Sequence, residues 1–265
     1  MREHALKQME AEIVRKYGKG KISRGMNYKP VEKRAIPTGI PELDKALGIG
    51  GIPRGRITEI YGDAMDGKTT VALSIARQVQ KMGGNILYID ADCALSSYQL
   101  ENAGITEAGF YIVRPDTMED AFEICSMSSV NGAIQLIIID SITALQTRAD
   151  EKAEMGDCYA GKPQAFWTDQ FLRVVTKWNE KNDCSILILN QTREKVGLLF
   201  GNPVTTTCGR ALKYYAAARV ELHRLIMGKG KCGAHLRARV MKNKCAAPFK
   251  EAEFIIPFPA ATTAV

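Results

Sequence analysis

The chain contains no apolar run long enough to span a bilayer, and its N-terminus, MREHALKQMEAEIVRKYGKGK, is charged throughout. The first absence excludes a helical membrane protein, and the second excludes a secretory signal peptide. Only three histidines are present, and the seven cysteines (Cys93, Cys125, Cys158, Cys184, Cys208, Cys232, Cys245) form no C-x-x-C pair and have no histidine at ligand spacing. They read as reduced, mostly buried thiols in a soluble intracellular protein. With 265 residues, 46% of them hydrophobic, there is chain enough for one α/β core and a small appendage. The formal charge of +7 favours a polyanionic partner, although a solvated basic surface gives the same sum.

One octapeptide stands out against this background. Gly62-Asp63-Ala64-Met65-Asp66-Gly67-Lys68-Thr69 fits the phosphate-binding pattern G-x-x-x-x-G-K-[ST]. The run Arg56 to Tyr61 before it reads as a buried strand, and Thr70 to Gln80 after it as an amphipathic helix. In that setting, successive backbone N–H groups and a helix N-terminus face one anion, so polyphosphate binds without a dedicated cationic pocket. Lys68 then neutralises the β- and γ-phosphates while the Thr69 hydroxyl ligates Mg²⁺. A nucleoside triphosphate is the expected ligand, with Thr70 closing the run of cofactor-binding positions.

Strand and helix patterns alternate along the rest of the chain. Apolar runs at Asn85 to Ile89, Gln135 to Ile139 and Ser185 to Leu189 are separated by helical patterns at Met118 to Val130 and Phe166 to Asn179. This predicts an α/β fold with a mostly parallel central sheet flanked by helices, and ligands at the carboxyl ends of the strands. Shorter alternating runs, Arg219 to Leu222 and Leu236 to Val240, predict an antiparallel edge. Leu6 to Tyr17 is helical in pattern and ends at Gly18-Lys19-Gly20; the polar stretch to Arg34 suits a linker. The division expected is residues 1–34 (helix and linker), 35–256 (core) and 257–265 (a small-residue tail). Such a helix on a tether either folds back on its own domain or docks on a neighbouring subunit.

Each core strand ends in a chemically useful residue. Asp140 closes one apolar run, where a phosphate-loop enzyme holds the water shell of its Mg²⁺. Asp90-Ala91-Asp92 closes its neighbour, and either aspartate could polarise an attacking water, because spacing does not choose between them. Asn190-Gln191 closes the third with amides that can hydrogen-bond a γ-phosphate and report its presence. The segment Thr192 to Gly209 follows, with cations and hydroxyls that suit phosphates and apolar residues able to wedge between bases. Glu154 to Gly161 is a second, shorter loop of this kind.

Taken in order, Pro37-Thr38-Gly39, Leu47-Gly48 to Gly55, Glu59-Ile60-Tyr61-Gly62, Ile89-Asp90-Ala91, Gly201-Asn202-Pro203, Thr205-Thr206-Thr207, Lys242-Asn243-Lys244 and Ala247-Pro248-Phe249-Lys250 resemble the bacterial RecA family of recombinases. The resemblance runs from near the N-terminus to about Phe254. It implies a RecA-like ATPase core that uses ATP and Mg²⁺, with Tyr98 added to the nucleotide contacts. It aligns Asp92 with the family's catalytic glutamate and Gln191 with its ATP-sensing glutamine. Arg193 to Gly209 matches the second DNA-binding loop, which assigns Arg193, Lys195, Val196, Phe200, Thr205, Thr206, Thr207, Cys208 and Gly209 to DNA, and Arg173 matches a further single-strand contact. Lys242 and Lys244 resemble lysines that reach a neighbour's ATP across a subunit interface; without the resemblance they are a basic turn. The first helix is similar to the family's polymerisation arm.

Three departures accompany the resemblance. Asp92 is one methylene shorter than glutamate, which predicts slow hydrolysis. Glu194 and Cys208 stand where the family usually has an uncharged residue and a glycine. The family's C-terminal domain has no counterpart in this sequence, which bears on duplex capture. The function implied is an ATP-dependent, single-stranded-DNA-binding recombinase that forms homo-oligomeric helical filaments and pairs them with duplex DNA. Its expected location is the bacterial cytoplasm, encoded by the host or by a phage. The rival is a RecA-like accessory or regulatory ATPase that coats single strands without strand exchange.

Overall fold

The computed structural model describes residues 2–19, 21–22, 35–152, 162–194, 204–225 and 233–257. The chain divides into two compact units, Met1–Lys33 and Arg34–Val265. The first unit carries one helix, α1 (Arg2–Tyr17), none of whose residues is buried; Leu6, Met9 and Tyr17 are all exposed.

The second unit opens with β1 (Ala35–Ile36), α2 (Pro41–Leu47) and β2 (Ile52–Pro53), then β3 (Ile57–Gly62) and α3 (Lys68–Lys81) around the phosphate loop. It continues through β4 (Ile86–Asp90), α4 (Ser97–Ala103), β5 (Phe110–Val113), α5 (Met118–Asn131), β6 (Leu136–Asp140), α6 (Arg148–Lys152) and α7 (Lys162–Asn182). Next come β7 (Ser185–Glu194), β8 (Val204–Thr206), α8 (Ala211–Tyr215), β9 (Ala218–Leu225), β10 (Ala234–Asn243) and β11 (Glu251–Ile256). The main sheet has the order β11-β10-β9-β3-β7-β6-β4-β5, with β8 attached to β7. Strands β9, β3, β7, β6, β4 and β5 pair in parallel, whereas β9, β10 and β11 pair antiparallel. The expected α/β architecture with an antiparallel edge is therefore present.

Every residue of β3 and β4 is buried, as near-continuous apolar runs require when helices cover both faces of a parallel sheet. One face packs on α3 through Val71, Ile75 and Val79. The other packs on α5 and α7 through Phe122 and Phe171, whose rings stack at 4.2 Å. Among the described cysteines, Cys125, Cys184, Cys208 and Cys245 are buried free thiols and Cys93 is exposed. Burial pushes the Cys125 thiol well above its ordinary range.

One boundary differs from expectation. The strand expected to close at Asn190-Gln191 runs on to Glu194, and Thr192, Arg193 and Glu194 pair antiparallel with Thr206, Thr205 and Val204. The two ends of the expected loop are thus the stem of a β-hairpin. Sequence periodicity missed this because Thr192 to Glu194 are polar and pair only with a three-residue strand.

Candidate nucleotide and nucleic-acid site

The loop between β3 and α3 is shaped by two glycines and one carboxylate. Gly67 caps α3 with φ +75, and a Cβ there would lie 2.8 Å from the Leu236 side chain; a Cβ on Gly62 would meet the Leu222 carbonyl oxygen at 2.4 Å. Asp66 is buried, and its carboxylate accepts hydrogen bonds from the backbone N–H of Asp63 (2.8 Å) and of Arg224 (3.1 Å). Asp66 is among the expected cofactor-binding positions, whose contacts are backbone N–H groups; its side chain braces the loop against β9. Asp63, Ala64, Met65 and Thr70 are exposed. Lys68 donates to the carbonyls of Gly62 (3.1 Å) and Asp63 (2.6 Å). Burial lowers its pKa, and the carboxylates of Asp66, Asp140, Asp63 and Asp92 oppose that shift.

The metal candidates meet across the sheet. The Thr69 hydroxyl donates to Asp140 Oδ2 at 2.7 Å, and the Tyr88 hydroxyl donates to the same oxygen at 2.6 Å. Burial raises the Asp140 pKa, and those two hydrogen bonds oppose the rise. Among the described residues no group of three or more His, Cys, Asp or Glu side chains could hold a metal on its own. A Mg²⁺ held by one hydroxyl, one carboxylate, waters and phosphate oxygens needs no such group, so the donor set fits that ion.

Geometry separates the two aspartates that spacing left equal. Asp90 is buried, takes the N–H groups of Ala94 and Leu95 and pairs with Arg114 Nε at 2.9 Å, so its carboxylate organises the turn after β4. Asp92 is exposed, and the Ser141 N–H and hydroxyl, next to Asp140, lie 3.4 and 3.3 Å from its Oδ1. Tyr98 lies on α4, more than half exposed.

Gln191 pairs in register with Gly62, the first residue of the phosphate loop. The strand that carries Gln191 continues into the hairpin stem, where the Thr192 hydroxyl bonds the Asp63 carboxylate. Arg193 and Gly209 are exposed, but Thr206, Thr207 and Cys208 are buried. The Thr207 hydroxyl bonds Asn190 and Thr143, and the Cys208 thiol donates to Thr207 at 3.8 Å. These three side chains, expected to face DNA, therefore turn inward, because the hairpin needs partners for its hydroxyls once it packs on the sheet. The Thr205 hydroxyl accepts from Lys213 at 2.9 Å. Lys195, Val196 and Phe200 lie outside the described residues. Arg173 stands on α7, largely exposed and paired with Asp169 one turn away.

Beneath the hairpin lies a buried ionic network. Glu59 is fully buried in β3; it accepts from Arg219 and, at 3.0 Å, from the Asn190 amide, while Arg219 stacks over Tyr61 at 4.7 Å and reaches the Thr206 hydroxyl at 3.5 Å. Sequence reasoning missed this set. Its signal was a glutamate inside an otherwise buried run, which must have a cationic or hydrogen-bonding partner somewhere.

Lys242 and Lys244 end up away from the phosphate loop of their own protomer. Asn243, between them, pairs with Ala218, which pairs with Thr58 near the start of β3, whereas the phosphate loop begins at Gly62 at its end. At roughly 3.3 Å per residue those positions are roughly 13 Å apart along the strand. Lys242 donates to the carbonyls of Lys213 (2.5 Å) and Tyr214 (2.9 Å), and Lys244 to that of Tyr214 (2.9 Å), at the end of α8. Asn243 pins the turn by donating to the Leu47 carbonyl and accepting from Cys245 and Ala246 N–H.

Residues 3–262 match the RecA N-terminal domain family. The chain belongs to the RecA family. It is 43% identical over 259 residues to protein RecA of Geobacter sulfurreducens, covering 96% of this chain and 76% of that protein. Protein RecA of Clostridium perfringens is 42% identical (96% and 73%) and that of Heliobacterium modesticaldum 45% identical (96% and 74%). Family membership gives the chain a function in homologous recombination and DNA repair. Among its described residues, no helix is long and apolar enough to cross a membrane.

Proposed function

We propose that this chain assembles as an ATP-dependent helical filament on single-stranded DNA, pairs it with homologous duplex DNA and hydrolyses ATP slowly. The observation that carries the reading is β7: one strand places Gln191 beside the phosphate loop and continues into the hairpin that bears Arg193 and Thr205. A change felt at the γ-phosphate is thereby delivered to a candidate DNA-binding loop without an intervening flexible segment.

In the nucleotide-bound protomer, Lys68 exchanges the carbonyls of its own loop for β- and γ-phosphate oxygens, and the first N–H groups of α3 face the phosphates. Thr69 and Asp140 would hold Mg²⁺ and its waters, and the ion would supply neutralisation of the phosphate charge. Asp92 accepts a proton from the attacking water, and Gln191 hydrogen-bonds the γ-phosphate. Lys242 and Lys244 serve the nucleotide of the adjoining protomer, in keeping with their place at the far end of the sheet. The exposed apolar residues of α1 give that helix a reason to dock on a neighbour.

The test combines electron microscopy of the protein with single-stranded DNA and a non-hydrolysable ATP analogue with a strand-exchange assay. Extended filaments and joint-molecule formation are expected. Filaments without exchange would shift the reading to a strand-coating accessory ATPase, and absence of single-strand stimulation of hydrolysis would end it.

A further inference from the structure

We propose that Tyr88 is a positioning residue for the metal site, its hydroxyl anchoring the Asp140 carboxylate so that Mg²⁺ entry can draw Thr69 away without loosening Asp140. The inference rests on the reading of Thr69 and Asp140 as the metal-binding pair. Tyr88 lies inside β4, 1% exposed, with its ring against Phe110 at 5.8 Å and its oxygen 2.6 Å from Asp140 Oδ2. That oxygen also accepts from Thr69, 2.7 Å away. The two donors differ in what they can do next. Thr69 sits in the first turn of α3, half-buried beside the loop, and on the proposed reading its hydroxyl would turn to the ion. Tyr88 is locked by strand pairing on both sides, to Ile112 and Ile138, and its phenol cannot follow.

A carboxylate in this buried setting needs a hydrogen bond in both states of the site. In the empty state it has two, and once Thr69 leaves it keeps the phenol. The phenol remains a donor at neutral pH, because a tyrosine hydroxyl keeps its proton there. Asp140 thus stays with Oδ2 engaged, in one rotamer, when the waters of the ion arrive. Partners that orient a metal-site carboxylate in this manner are worth about 10- to 100-fold in metal affinity. Much of the affinity here comes from nucleotide phosphates, so the lower end of that range applies.

The test uses the full chain and three titrations of fluorescent ATP: without metal, at saturating Mg²⁺, and at fixed nucleotide with increasing Mg²⁺. Tyr88→Phe removes one oxygen and keeps the buried ring; the expected result is about a tenfold rise in the Mg²⁺ concentration for half-saturation, with metal-free affinity unchanged. Phe110→Leu disturbs the same packing and keeps the hydroxyl, so it should leave the Mg²⁺ requirement alone. A Tyr88→Phe requirement within twofold of wild type overturns the proposal, as does an equal loss of metal-free and Mg²⁺-dependent affinity. Asp140→Asn separates the layers: if it moves the Mg²⁺ requirement and Tyr88→Phe does not, only the role of Tyr88 fails. If Asp140→Asn does not move it either, the assignment of the metal site fails with it.

Discussion

Lys68 and Lys242 each hold an ammonium group against two main-chain carbonyls, and they do so in opposite electrical surroundings. Around Lys68 stand Asp63, Asp66, Asp92 and Asp140; around Lys242 stand Lys244 and Arg219, with the buried Glu59 as counterweight. Burial lowers both pKa values, but carboxylates pull Lys68 back, whereas its cationic neighbours push Lys242 down further, to about 8. The contrast teaches what each end of the sheet lacks. The phosphate loop surrounds its lysine with carboxylates that oppose the effect of burial. The far end carries surplus positive charge that an anion from outside the protomer would satisfy, and a neighbour's triphosphate is such an anion.

The first way to break the comparison is Lys68→Ala. It should weaken ATP binding by about 100-fold or more, since two charge-assisted phosphate contacts go with it; equilibrium titration of the isolated protomer measures this. Lys242→Ala should leave that titration untouched and reduce single-strand-stimulated hydrolysis by about 10³-fold if the lysine acts across an interface. Full stimulated turnover in that variant would return Lys242 to the status of a basic turn. Arg219→Leu removes a cation beside Lys242 and strands the Glu59 carboxylate, so urea unfolding should show a loss of about 3–5 kcal/mol. A change under about 1 kcal/mol would mean that Glu59 is solvated in the native state.

Two smaller effects sharpen the contrast. Asp92→Glu lengthens one of the carboxylates around Lys68 and should raise the hydrolysis rate by up to about tenfold; an unchanged rate would count against Asp92 as the base. For Lys242, a folded pKa near 8 against an ordinary 10.5 means that the unfolded chain binds more protons between those values. This group's contribution therefore makes the native state more stable as pH rises from 8 to 10.5. The Tm gap between Lys242→Met and wild type should drift in favour of wild type over that window; a gap that stays constant would show that the two carbonyls, not the cationic neighbours, set the behaviour of Lys242.

What was legible in the sequence was local. The phosphate loop, the strand ending at Asp140 and the helix after Lys68 are each specified by contiguous residues, and they fall where periodicity placed them. What was not legible depends on long separations. Glu59 meets Asn190 and Arg219 from 131 and 160 positions away, and no window joins them. Spacing left Asp90 and Asp92 equivalent, whereas in the fold Arg114 and the N–H groups of Ala94 and Leu95 claim Asp90. Strands β5 and β11 escaped notice because the first has four residues and the second has Glu251 and Glu253 among its apolar residues. The inward-turned threonines misled for another reason: a hydroxyl serves a phosphate or a neighbouring amide equally well, and only packing decides.

The pairing of Gly62 with Gln191 has a consequence for how this segment can vary. Side chains alternate faces along a strand, so inserting one residue between Ile188 and Asn190 would send Asn190 to the face Gln191 now uses and detach Glu59 from its amide partner. Individual residues in β7 can be exchanged for others of similar size, but their number cannot change. Along this stretch, insertions and deletions should be eliminated far more strictly than substitutions.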